Sequence, residues 1–194
     1  MVAFADKPEL RPSSVAEWDV WLERHADDPA HAGGVRLRLR KKAADVAGIL
    51  YGEALDVALC HGWIDGQSKS IDETWWHQSF GPRRAASPWS QVNREHVERL
   101  IREGRMREGG YAEIERAKAD GRWDAAYRVA GAEAPEELAA AIAADPAAAA
   151  AWASLGKSAR WPFIFRVQAL KRPESRQRRA AEYAALLARG ERLR

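Results

Sequence analysis

Residues 35–40 read VRLRLR, and no other six-residue stretch restricts the fold as much. Val35, Leu37 and Leu39 alternate with Arg36, Arg38 and Arg40, the two-residue period of a strand with one buried and one wet face. Partners for it exist further on. WIDGQSKS (Trp63–Ser70) and TWWHQSF (Thr74–Phe80) read as two strands around a turn at Ile71-Asp72-Glu73. The expectation is a small antiparallel sheet of about three strands, close to the minimum for stability.

The remainder reads as helix. Ser14, with Glu17 three residues later, offers a capping box ahead of Trp18, Trp21 and Leu22 at helical spacing. Those tryptophans belong in a core, and Pro29 and Gly33-Gly34 close the helix. Further helices are expected over Tyr51–His61, over Gln91–Glu103 behind a Ser90 cap, and over Glu108–Asp120. Three more follow at Pro135–Ala144, Asp145-Pro146 to Leu155, and Ser158–Lys171. A last one runs from Pro173 to a stop at Gly190. The small-residue linker RVAGAEAPEE, beginning at Arg128, is the best candidate boundary. The fold class is therefore expected to be α+β and mostly helical, with the sheet packed by an N-terminal helix and a C-terminal multi-helix bundle. An α+β region 1–130 and a helical region 131–194 should pack as one compact unit.

No apolar run approaches the ~20 residues that span a bilayer. The opening MVAFADKPELRPSS lacks the basic-then-apolar order of a secretory signal. Cys60 is the single cysteine, which suits a reducing compartment, so a cytoplasmic location is expected. The net charge of +3 is unevenly spread, with eleven Lys or Arg against three acids between Lys157 and Arg194. Arg172, Arg176 and Arg179 recur at helical spacing and could follow phosphates. A solvated, Arg-rich helical surface is the simpler account, and no nucleic-acid-binding module is recognisable.

The segment Ala58–Arg84 concentrates the side chains suited to chemistry. Alternation puts Trp63, Asp65, Gln67 and Lys69 on one face of the first strand, and Trp75, His77 and Ser79 on one face of the second. Paired as a hairpin, one face would bring together Trp, Asp, Gln and His, the aromatic wall with a few convergent polar groups typical of small-ligand sites. Behind Pro82, Arg83 and Arg84 stand beside the helix that Ser90 opens. There Trp89, Asn93 and the helix start would help hold a carboxylate or phosphate. Equally, Arg83 or Arg84 would serve as a structural bridge to Asp65 or Asp72. Cys60, His61 and His77 follow no zinc spacing, so no metal site is expected. Cys60 reads as buried packing rather than a nucleophile. No phosphate loop, serine elbow or His-Glu-x-x-His pair occurs, and no cofactor is expected. Asp65 and His61 are the candidates for acid–base work.

Lys41-Lys42, EALDVALCHGWIDGQ (Glu53–Gln67), FGPRR (Phe80–Arg84), SPWSQVNREHVERLIREGRM (Ser87–Met106), AKADGRWDAAY (Ala117–Tyr127) and KRPESRQRR (Lys171–Arg179) resemble the bacterial YdeI/OmpD-associated, or bacteriocin-protection, family. The likeness runs from about Phe4 to Gly190. It implies a compact protein linked to tolerance of antimicrobial peptides under envelope stress, with no agreed catalytic residues to carry over. His61 stands where the family favours Phe or Tyr, Gly81 where Thr is common, and Arg36 where Trp is usual. The first functional reading is a stress-associated protein binding a small anionic or aromatic ligand, or a protein partner, over Trp63–Asn93. The second is a cofactor-independent enzyme, and the third a nucleic-acid binder using the C-terminal arginines.

Overall fold

VRLRLR forms the second strand of a four-stranded sheet built from β1 (Glu9–Leu10), β2 (Val35–Arg40), β3 (Trp63–Ser70) and β4 (Trp75–Pro82), in the spatial order β1-β2-β4-β3. The computed structural model describes residues 2–127, 132–191 and 193. It falls into two units, Met1–Tyr127 and Arg128–Arg194. The first four linker positions, 128–131, lie outside the described residues. The architecture is α+β, but the sheet has four strands and mixed pairing instead of about three antiparallel ones. β1 lies parallel to β2, while β2–β4 and β3–β4 are antiparallel. A two-residue strand is too short for alternation to reveal.

In the first unit the alternation of β2 is obeyed: Val35, Leu37 and Leu39 are fully buried and the three arginines between them are not. They pack against α1 (Val15–His25) and α2 (Tyr51–Cys60), followed in the chain by α3 (Gln91–Arg102) and α4 (Glu108–Ala119). Ser14 caps α1 by accepting the Glu17 amide at 3.2 Å, and Glu17 returns to the Ser13 amide and hydroxyl instead of the expected Ser14 amide. Trp18 and Leu22 face inward with no exposure, and Trp18 Nε1 donates to the Ala54 carbonyl at 3.1 Å, pinning α1 to α2. Gly34, at φ +77°, lets the chain enter β2 where a Cβ would lie 2.3 Å from the Phe80 carbonyl oxygen.

The β3–β4 hairpin holds the feature that decides the site. Asp65 pairs with Phe80, but the next pair is Ser68 with Gln78, so Gly66 and Gln67 together face Ser79. This bulge inserts one residue and reverses which side chains share a face beyond it. Gly66 belongs there, because a Cβ would meet Ser79 Oγ at 2.8 Å. The carbonyls that the bulge frees are answered locally. Gln78 Nε2 donates to Gly66 O at 2.8 Å, and Ser79 Oγ donates to Gln67 O at 3.0 Å. Buried Gln78 and Ser79 are thus satisfied polar groups.

The second unit consists of α5 (Glu136–Ala143), α6 (Pro146–Ser154), α7 (Lys157–Gln168) and α8 (Pro173–Ala188) around Leu138, Ile142, Phe163, Val167 and Leu187. Asp145 caps α6 through two amides. α7 stops short of Lys171 because Arg172 precedes a proline and takes an extended conformation, φ −90° and ψ 129°. Arg176 pairs with Glu137 at 2.9 Å, and Arg179 with Glu182 at 3.0 Å and with Tyr183. Two of the three arginines offered to nucleic acid are therefore engaged within this unit. No helix among the described residues is long and apolar enough to cross a membrane.

Candidate functional site

α2 begins at Tyr51 directly across from β3, and the Tyr51 hydroxyl donates to Asp65 Oδ2 at 3.0 Å. Burial raises the Asp65 carboxyl above its ordinary range, opposed by the Tyr51 hydrogen bond and by the charge of Arg83. Burial and the Asp65 charge likewise push the Tyr51 phenol up. Tyr127, whose phenol is also raised by burial and then by Asp65, adds a second hydroxyl to this neighbourhood.

Arg83 is 5% exposed, and its guanidinium carbon sits 3.7 Å from the centre of the Trp89 ring. Burial brings its pKa down to about 10. Nη1 donates to Pro88 O at 3.3 Å, yet Nε and Nη2 have no hydrogen-bond partner among the described residues. Two unanswered donors on a buried cation are costly, and such groups ask for an explanation.

Two cavities flank the Tyr51–Asp65 pair, and Arg83 lines neither. One, of about 650 Å³, is lined by Lys41, Lys42, Leu50, Tyr51, Ser68, Ser70 and Trp76, with the Tyr51 and Trp76 ring centres 5.8 Å apart. The other, of about 230 Å³, is lined by Lys7, Asp65, Gly81, Arg84 and Ser87. Tyr51 belongs to the first wall and Asp65 to the second, so their hydrogen bond stands between them. Burial and then Arg84 lower the Lys7 ammonium pKa, in keeping with two cations sharing the small cavity.

Residues 10–113 match the family model described as Domain of unknown function (DUF8412), more than half of the chain. Residues 131–190 match the model described as Bacteriocin-protection, YdeI or OmpD-Associated. The chain belongs to the DUF8412 family and carries a YdeI/OmpD-associated C-terminal part. No curated protein and no solved structure matches it. The YdeI/OmpD-associated match thus covers the C-terminal part, not the whole stretch from Phe4 to Gly190. The hairpin signature Glu53–Met106 falls wholly within the DUF8412 segment, residues 10–113.

In this DUF8412 domain the hairpin does not present Trp, Asp, Gln and His on one face. Because Asp65 pairs with Phe80, it shares the inner side with Trp63 and Phe80, while His77 pairs with Arg38 and Lys69 on the outer side. Trp63 is core, 1% exposed, with Nε1 donating to Ala26 O. Gln67 lies exposed at the bulge and contributes its carbonyl. Trp75 stacks under Arg38 at 4.4 Å, and His77 Nε2 is 3.3 Å from Glu9 Oε2. Trp89 is buried edge-on to Trp123. Arg84 reaches the small cavity, not Arg83's surroundings. The start of α3 is already used: Ser90 Oγ accepts the Asn93 amide and the Tyr127 carbonyl accepts the Gln91 amide, leaving little for an external anion. Among the described residues neither arginine forms a salt bridge with Asp65 or Asp72, and Asp72 instead caps the hairpin turn through the Thr74 and Trp75 amides.

His61 and Asp65 do not form an acid–base pair. Buried His61 binds Asp19 through Nε2 at 2.7 Å, and Arg107 holds the other Asp19 oxygen at 3.2 Å. Burial pushes the Cys60 thiol up to about 11, consistent with packing. The residues that the sequence reading passed over are Lys7, Tyr51, Trp76 and Tyr127, which alternation cannot link to Asp65. Also missed was the spacing His25-x-x-Asp28-x-x-His31, hidden in a segment read as a helix end.

Proposed function

We propose that this DUF8412 chain is a small-ligand-binding protein. Its ligand combines an aromatic or apolar body with an anionic group, and it acts in the cytoplasm within a stress response of the kind the YdeI/OmpD-associated name denotes. The observation that carries this is the cavity of about 650 Å³, which sets the Tyr51 and Trp76 rings beside Lys41 and Lys42. Its size lies in the range of small-molecule sites, and an apolar wall with few charged groups is their usual lining.

Titration calorimetry with 2-naphthoate and its neutral amide tests it. The carboxylate should bind one site and prefer wild type over Lys41→Ala/Lys42→Ala by roughly tenfold, about 1.4 kcal/mol. Trp76→Ala should abolish binding. The absence of saturable binding by any aryl carboxylate, sulfonate or phosphate would overturn the reading. A second reading, cofactor-independent proton transfer, is favoured only by the raised Asp65 carboxyl. It requires a turnover that Asp65→Asn removes while ligand affinity stays.

A further inference from the structure

Immediately after α1, three side chains with metal-ligand chemistry turn toward one point. His25 closes the helix, Asp28 caps the short 3₁₀ turn Pro29–His31, and His31 ends that turn. His25 Nδ1 lies 3.8 Å and His31 Nδ1 3.4 Å from the same oxygen, Asp28 Oδ2. All three ligand atoms lie within 4.8 Å of one another. We infer that His25, Asp28 and His31 form a binding site for one divalent first-row metal ion, zinc in first place.

The separations suit a shared ion better than direct bonding. Hydrogen bonds from imidazole to carboxylate cluster between about 2.7 and 3.2 Å. His25 Nδ1 lies well beyond that range and His31 Nδ1 at the long edge of it, so the carboxylate is only weakly engaged by either ring. Ligands bound at about 2.0–2.1 Å in a tetrahedron stand roughly 3.3 Å apart, so small side-chain rotations would complete the set. His31 Nδ1 is buried without a hydrogen-bond partner among the described residues. The carboxylate is aimed by the backbone, since Oδ1 accepts the Ala30 amide at 2.9 Å and leaves Oδ2 for the centre. Trp21 flanks both rings, 4.9 Å from each, and restricts their motion. Two imidazoles and one carboxylate are a donor set for Zn²⁺ and its first-row neighbours, not for Ca²⁺ or Mg²⁺. The side chains remain partly exposed (37%, 38% and 22%), so a fourth position is open to water.

The test is calorimetric titration of the full chain, tag removed and stripped with a chelator, with ZnCl₂. One equivalent should bind and raise the thermal midpoint, as binding to the folded state requires. His25→Ala and His31→Ala should each weaken binding beyond the ~10–100-fold typical of outer-shell changes. Asp28→Asn keeps the cap on Ala30 and should weaken it less. His96→Ala, which alters a His–Asp pair within the separate Asp56–Arg99 network, should leave it unchanged. Co²⁺ should bind with visible absorption that vanishes in His31→Ala. Wild type that takes up no zinc, or uptake that survives both histidine changes, would overturn the inference and leave a plain aromatic cluster. Should His31→Ala unfold, Asp28→Asn decides: unchanged affinity there equally overturns it.

Discussion

The two ends of α2 carry polar clusters of opposite construction. At its C-terminal end every charge is answered: His61 and Arg107 each hold one oxygen of Asp19. Although burial opposes ionisation, those hydrogen bonds and charges keep the Asp19 carboxyl below its ordinary value. At its N-terminal end Asp65 is raised by burial, and Arg83 keeps two donors unanswered. A satisfied network fastens helices together. An under-satisfied one holds polar capacity in reserve, which is what a ligand can use.

The largest expected effect removes the support beneath both ends. Trp18→Ala deletes a fully buried ring and the bond to Ala54, and should cost about 3–5 kcal/mol in denaturant unfolding. Next, Asp19→Ala strands buried His61, while half-exposed Arg107 turns to water, and should cost about 1–3 kcal/mol at pH 7. Because the folded carboxyl lies below its ordinary 3.8, this stabilisation is present above that value. It disappears as pH falls through the folded value, so the two proteins should converge in acid. Arg83→Met should stay within about 1 kcal/mol of wild type, since an apolar side chain can replace an incompletely paired buried charge. A loss above about 2 kcal/mol would make this end as architectural as the other. Smallest is Asp65→Asn. The folded Asp65 carboxyl is raised, so wild type loses stability as pH climbs from the ordinary 3.8 through the folded value. The Asn variant lacks that loss, and thermal unfolding across this interval should show it gaining on wild type.

Much of this was legible from residues alone. The strand at Val35, the hairpin and the helices follow from local periodicity and caps such as Ser14, Ser90 and Asp145, because those signals act within a few residues. Asp65 and Arg83 stood out as polar groups among aromatics. Their company did not: Tyr51 lies fourteen positions before Asp65, and no spacing rule joins a helix start to a strand on the facing element.

The sequence by itself determined which segments are helix or strand, which residues alternate, and which carry chemistry. Only the tertiary structure decided which of them meet. The bulge at Gly66-Gln67 turned Asp65 inward with Trp63 and Phe80, away from His77, which its regular pairing with Arg38 of β2 keeps on the outer face. The 3₁₀ turn directly after α1 brought His25, Asp28 and His31 to one point. Periodicity is a property of a single segment, whereas register and convergence depend on pairing between segments.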